Sequence, residues 1–467
     1  MKHSSVWQRD KDHVIHPYTD FATFKTTGSQ VITRAQGNHL YDEAGRKFLD
    51  GIAGLWCVNI GHGRREMADA IAKQVMNMEY ANPFGHSTNE PAALLAARLA
   101  TLCPGTLNHV FFTCGGSTAN DSAMRIIHYY NNLRGKPQKK IVISRMDAYH
   151  GSTYVSADLT GIAATKFSFD STALNWINHV SAANMYRRPQ GAEHLSEEAF
   201  ADFLAKELEN RILQLGADNV AAFIAEPVMG AGGVLVAPKG YHRKVWEVCK
   251  KFDVLYVADE VVTGFGRLGE WFASESIYGY VPDVLILAKG ITSGYVPLGA
   301  AVFSDAIYNV ISEPQCKNGV FTMGFTYTGH AVACAAALKN IEIIEQEDIL
   351  QNVRSLAPFF QQTAREYLQN DIIGDVRGEG FMLGVELVAE QKSKLPFPPA
   401  SWSARAVFER CLEKGVIVRP IGNTIVLSPP LTIDKDEIRQ LLSALAEAIA
   451  EAAPALRSSV TVARATA

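Results

Sequence analysis

Short unbroken apolar runs alternate with stretches of helical period through the middle of the chain. The runs His109–Thr113, Lys140–Ser144, Val220–Ala225, Val254–Ala258, Val284–Ala288 and Ala300–Phe303 predict strands. Several lack the apolar–polar alternation of a half-exposed strand, so both of their faces are expected to be covered. Between them the spacing predicts helices over Ser117–Leu133, Glu197–Gln214 and Tyr241–Phe252. Strand–helix alternation of this kind predicts an α/β fold with a mostly parallel sheet. Ligands of such sheets bind beyond the carboxyl ends of the strands.

The flanks read differently. Residues 31–60 hold short strand-like pieces with turn signals at Gly37-Asn38 and Ala44-Gly45. After about residue 335 come long helices and the strand-like pieces "GFMLGVELV", "GVIVRP" and "NTIVLSPP". Near the end, Ile438, Leu441, Leu442, Leu445 and Ile449 fall on one helical face, and "RSSVTVARATA" predicts a frayed tail. The expected organisation is an N-terminal segment over 1–70, a large central domain over 71–334 and a C-terminal part over 335–467. The two ends are expected to pack together as a smaller α+β domain.

Composition narrows the function classes. The 467 residues are 48% hydrophobic with a net charge of −4, and no basic stripe points to nucleic acid. Seven cysteines show no CxxC pair, which suits reduced thiols rather than disulfides or zinc. "MKHSSVWQRDKDH" carries charges of both signs and no apolar core of a signal peptide, and no run is long enough to span a bilayer. A cytoplasmic protein without a bound metal is expected.

The candidate chemistry sits where predicted strands end. Lys289 follows the run Val284–Ala288. Desolvation there would lower its pKa, and a neutral amine is a nucleophile and a proton carrier. Asp259 follows Val254–Ala258 thirty positions earlier. An apolar run ending in Asp-Glu resembles a Walker B segment, but the chain has no GxxxxGK[ST] loop. Gly264, Gly266 and Gly269 spell GxGxxG. Two carboxylates precede them and "EWFASESIYG" follows, which is a poor dinucleotide site. The better anion candidate is "FFTCGGSTANDSAM". There Gly116 and Ser117 open a helix whose N-terminus suits a monophosphate. Tyr149 and His150 lie on a loop after a strand, and Glu226 ends another. Each of these residues alone is more often structural. Together they offer an anion cradle, an aromatic plate, a carboxylate and an amine on one sheet edge. That set suits a flat, cationic, phosphorylated aldehyde, pyridoxal 5′-phosphate. Lys289 would take the aldehyde as an aldimine, and Asp259 would keep the ring nitrogen protonated. At ~4 Å and an effective dielectric of about 20, that ion pair is worth roughly 4 kcal/mol before desolvation.

These residues lie in segments that resemble the class III, fold-type I aminotransferases over almost the whole chain. "VADEVVTGFGRLG…PDVLILAKGITSGYVPLGA" is close to that family's signature. "FTCGGSTAND" stands where the family typically has F-T-N-S-G-S-E-A-N-D, so Cys114, Gly115 and Thr118 depart from it. The resemblance implies a seven-stranded, mostly parallel sheet and Val261 on the ring face opposite Tyr149. It implies that Thr326, in "GFTYTGHAVAC", reaches the phosphate of a partner subunit. "DGIAGLWCVNIGHG" and "GVIVRPIGNTIVLSPPL" are similar to the ω-amino acid and amine:pyruvate transaminases. There Trp56 lines the substrate pocket and Arg419 is a mobile arginine for substrate carboxylates. Phe84 resembles an aromatic lent to the partner's pocket, and Tyr18 adds to an aromatic wall. The implied reaction moves an amino group from an amine or ω-amino acid to a keto acid such as pyruvate. It passes through a pyridoxamine phosphate form, and (S)-preference is implied with it. A homodimer with shared sites is implied, and a tetramer is compatible. Racemisation, decarboxylation and amino-group migration on the same cofactor stay open, as does a non-catalytic pyridoxal-phosphate-binding protein.

Overall fold

The computed structural model describes residues 4–167, 169, 174–313 and 320–466. Its centre is a seven-stranded sheet. In chain order the strands are β1 (Leu107–Thr113), β2 (Ile141–Arg145), β3 (Ile177–Val180), β4 (Val220–Ala225), β5 (Leu255–Asp259), β6 (Val284–Leu287) and β7 (Gly299–Ser304). They lie side by side in the order β1-β7-β6-β5-β4-β2-β3. Only β7 runs against its neighbours, pairing antiparallel with both β6 and β1. All six predicted strands are present. The unpredicted β3 is four residues long, with half-buried Asn178 and His179 inside it, so it carries no apolar run to read. Every residue of β4, β5, β6 and β7 is buried, as continuous apolar runs require. The predicted helices are Gly116–Leu133, Glu197–Leu215 and Tyr241–Lys251.

The chain ends meet. Lys47–Asp50 pairs in parallel with Val416–Ile417, with Leu49 opposite Val416. A second, antiparallel sheet takes Ile373–Glu379, Met382–Glu390, Thr424–Leu427 and Arg419–Ile421. Buried Arg267 ties both flanks to the centre. It donates to Asn59 Oδ1 at 2.9 Å and to the carbonyl of Pro429. The helix Lys435–Thr466 buries Ile438, Leu441, Leu442, Leu445 and Ile449 completely. It also runs on through the residues expected to fray. No glycine stands between Lys435 and Thr466 to end it.

The GxGxxG segment forms no dinucleotide loop. Gly266 and Gly269 take left-handed φ values of 98° and 92°, inside a turn closed by Phe265 N–H to the Trp271 carbonyl at 2.7 Å. The next helix, Ala273–Ser276, is one turn long, and its first amides donate to the buried carboxylate of Glu260. That leaves nothing to cradle a pyrophosphate.

Candidate active site

The parallel strands deliver their carboxyl ends to one edge. β5 ends in Asp259, buried, whose carboxylate is tightly held. Asn120 Nδ2 donates to Oδ2 at 2.9 Å, His150 Nδ1 faces the same oxygen at 2.7 Å, and the Val261 amide reaches Oδ1 at 3.2 Å. A carboxylate only accepts, so His150 Nδ1 carries the proton. His150 Nε2 and Asn120 Oδ1 are buried and have no partner. β4 leads into Glu226. Its Oε1 accepts from the Tyr149 amide at 3.1 Å and its Oε2 from the Gly230 amide at 3.0 Å. Burial raises the Glu226 pKa, and His150 works against that rise.

β6 leads into Lys289, which opens a short 3₁₀ turn with a left-handed φ of 48°. Among the described residues its amine has no hydrogen bond or ion pair. Desolvation lowers its pKa, while Asp259 and then Glu226 pull it back up. The balance favours a neutral amine more than water does.

β1 runs into the helix Gly116–Leu133, whose N-terminus no side chain caps. A Cβ at Gly115 would meet nothing, so open space lies in front of the helix start. A Cβ at Gly116 would stand 3.2 Å from both γ carbons of Val261, so the glycine lets Val261 lie flat against the cradle. Ser117 Oγ accepts from the Ser152 amide at 3.1 Å, which fixes the loop carrying Tyr149 beside the helix start. The Tyr149 hydroxyl meets Ser152 Oγ at 3.0 Å. Burial pushes its pKa up to about 12, and Tyr18 adds to the rise.

These residues fit pyridoxal 5′-phosphate. The chain presents an uncapped helix start before open space, a buried carboxylate whose Oδ1 has one long contact, an unpartnered amine, and an aromatic loop. Each meets a different part of that molecule.

The remaining expected residues divide. Half-buried Arg419 begins the strand Arg419–Ile421; burial lowers its pKa, and the Tyr18 and Tyr149 phenols oppose that. Its Nε is buried without a partner. Trp56 is buried in a turn with a φ of 63°, and its ring lies over Gly230, where a Cβ would come within 2.9 Å of it. Asp50 holds that turn by accepting from the Ile52 and Gly54 amides. Phe84 and Thr326 are not joined to this cluster by any hydrogen bond or ion pair among the described residues. Both are exposed, and they share another surface. Phe84 packs on Gly324, and Tyr80 donates to the Thr326 carbonyl at 3.1 Å.

Asn120 is the residue that sequence reasoning passed over. It lies one helical turn after Gly116, so it faces the same edge. A buried asparagine inside a helix, where that residue is a poor former, is the signal that would have found it.

With this geometry the chain belongs to the class III aminotransferases. The family model for "Aminotransferase class-III" matches residues 23–449. The chain is 40% identical over 452 residues to a putrescine–pyruvate aminotransferase of Pseudomonas aeruginosa, covering 96% of this chain and 97% of that one. It is 41% identical over 421 residues to the mitochondrial gamma-aminobutyrate transaminase 1 of Oryza sativa subsp. indica, covering 90% and 81%. The crystal structure of an (S)-enantioselective omega-transaminase from Thermomicrobium roseum superposes with a TM-score of 0.92 at 39% identity, covering 96% and 98%. The Pseudomonas jessenii omega transaminase in complex with PMP gives 0.93 at 35%, covering 97% and 99%. The protein is thus a pyridoxal-phosphate-dependent transaminase of fold-type I. No helix among the described residues is long and apolar enough to cross a membrane.

Proposed function

We propose that this transaminase takes an amine or ω-amino acid as donor and a keto acid, pyruvate first among them, as acceptor, with Lys289 as the proton-carrying amine. The observation that carries the reading is the unpartnered, desolvated Lys289 amine facing the buried Asp259 carboxylate. When bound, pyridoxal 5′-phosphate supplies an aldehyde that takes up the amino group and a ring that draws electrons from the substrate carbon. Asp259 would hold the ring nitrogen protonated, and Asn120 and His150 fix its carboxylate for that task. The N-terminus of the helix Gly116–Leu133, with Ser117, would hold the phosphate. Tyr149 and Val261 would pack against the ring. Lys289 Nζ takes a proton from the amine-bearing carbon and returns it one position along, which needs its neutral form.

Arg419 recognises a substrate carboxylate. Among the described residues it has no carboxylate to pair with, and its neighbours are the Tyr18 and Tyr149 phenols. Trp56 bounds the space for the rest of the substrate. A similar omega transaminase was engineered for enantiopure bulky amines at a tryptophan, a phenylalanine and an arginine, and this chain offers Trp56, Phe84 and Arg419 for the same tasks. The unit of function is a homodimer. Phe84 (52% exposed), Tyr327 and Val320 leave aromatic and aliphatic area open around Thr326, which suits burial against a second copy. In that dimer Phe84 and Thr326 complete the partner's site. The functional division is 71–334 for the cofactor domain, with 1–70 and 335–467 forming the smaller one. The six described cysteines are all free, in keeping with a reducing cytoplasm.

The test is the visible spectrum of the purified protein. A donor amine added without keto acid is expected to bleach the yellow band, and pyruvate to restore it. A yellow protein that no amine bleaches would overturn the donor and acceptor assignment, and a protein that never binds the cofactor would overturn the site.

A further inference from the structure

Among the described residues Lys289 has no hydrogen bond or ion pair at its amine, so the backbone beneath it fixes where its side chain starts. That backbone is unusual. Lys289 and Ser293 both take left-handed φ values, 48° and 50°, which side-chain-bearing residues rarely adopt. The turn is short of its own support. Its internal bonds are Thr292 N–H to the Lys289 carbonyl and Ser293 N–H to the Gly290 carbonyl, both long at 3.3 Å.

The missing support comes from one side chain. Asn340, fully buried in the helix Ala331–Gln346, donates from Nδ2 to the Gly290 carbonyl at 2.9 Å and to the Ile291 carbonyl at 3.1 Å. Its Oδ1 accepts from Ser293 Oγ at 2.6 Å. All of its described side-chain hydrogen bonds therefore go to residues 290–293 of that turn. Among the described residues it is the only side chain that donates to the carbonyls of residues 289–293. Ser293 Oγ in turn accepts from the Ile60 amide at 3.3 Å, four residues beyond Trp56. Gly290 is also packed against Asn59, where a Cβ would come within 2.6 Å of Nδ2, so the turn has little room at this point.

We propose that Asn340 is a positioning residue for the proton transfer. It clamps the strained turn that aims Lys289, and through Ser293 it registers that turn against the loop bearing Trp56. The inference rests on Lys289 being the reactive amine. It predicts that loss of the clamp slows the chemical step while leaving substrate binding alone, because Asn340 touches only the turn.

The experiment compares Asn340→Ala, Asn340→Asp and Ser293→Ala holoenzymes with wild type by stopped-flow bleaching at saturating amine. The expected result is a rate about thirty-fold lower for both Asn340 variants and about three-fold lower for Ser293→Ala, the size a misaimed group produces. Half-saturating amine should stay within about two-fold. Two readouts lie outside turnover. The pH midpoint of the bound cofactor's visible band should move in the Asn340 variants, and so should the pH dependence of Lys289 labelling by an amine-reactive reagent in the cofactor-free protein. Asn131→Ala is the control. It removes another fully buried asparagine, which donates to the Lys139 carbonyl at the far end of its helix, and it should lower the melting temperature with the rate and both midpoints unchanged. If the Asn340 variants melt early but keep wild-type rates and midpoints, the residue is merely structural and the proposal falls. Should they not fold, a wild-type rate and midpoint in Ser293→Ala would overturn it. Wild-type turnover in Lys289→Ala would overturn the functional reading beneath it, a result the Asn340 variants cannot mimic.

Discussion

Asp259 and Arg419 are both charged groups of one site, yet they are held in different ways. Asp259 ends a fully buried strand and is fixed by three donors from three separate segments. Arg419 sits on a three-residue strand, its Nε has no partner, and its neighbours are phenols. The same contrast separates Glu226, held by two amides, from Tyr18, which is 68% exposed. On the proposed reading, groups that face the cofactor meet the same ring and phosphate in both halves of the reaction, so fixing them gains preorganisation. On the same reading, groups that face the substrate meet two molecules, a donor and an acceptor, in the same space. An arginine with spare donors can pair with a carboxylate or leave room for an apolar group.

Perturbing each side tests this division. The largest effect is expected for Lys289→Ala, a loss of at least about 10³-fold in turnover with the cofactor still bound through its phosphate; substantial residual activity would show that another group carries the proton. Next is Asp259→Asn, with kcat lower by about 10²–10³-fold for every donor alike, because the cofactor side serves all substrates. A donor-dependent loss would break the comparison. Arg419→Ala should be selective instead. KM for a keto acid should rise about ten- to a hundred-fold, the value of a charged hydrogen-bonded fork, while an amine without a carboxylate reacts within about two-fold of wild type. The smallest effect is a pH shift. Lys289 is held below its ordinary pKa by burial and pulled upward by Asp259. Removing that negative charge should therefore lower the Lys289 pKa further. In the cofactor-free protein, labelling of Lys289 should then begin at lower pH in Asp259→Asn than in wild type, and a rise instead would mean that the carboxylate acts mainly through geometry.

The sequence exposed the cofactor side far better than the substrate side, for the same physical reason. A strand buried on both faces leaves an apolar run, and a polar residue at its end stands out; Asp259, Lys289 and Glu226 were all legible that way. β3 was not, because half-buried polar residues interrupt its pattern. Asn120 was passed over because its role depends on a helix and a strand that lie 139 positions apart. Trp56, Phe84, Arg419 and Thr326 came only from family resemblance. They sit on turns and short strands whose placement is set by tertiary contacts, such as the Asp50 carboxylate that holds the Trp56 turn. The helical tail was misread because nothing local marks whether its final turns stay wound.

The parallel pairing of Leu49 with Val416 also has a consequence in time. The strand Lys47–Asp50 leaves the ribosome long before its outer neighbour exists. At roughly 5–20 residues per second, more than three hundred and sixty further residues take on the order of tens of seconds to make. Throughout that interval the edge of Lys47–Asp50 that Val416 will pair with stays open, and the turn that carries Trp56 lacks its final backing. The strands of the central sheet are complete earlier, by residue 304. The strands that end at Asp259 and lead into Lys289 are therefore made before that edge is covered, and a chain cut short before Val416 would keep the edge open for good, a ready surface for pairing with a neighbour.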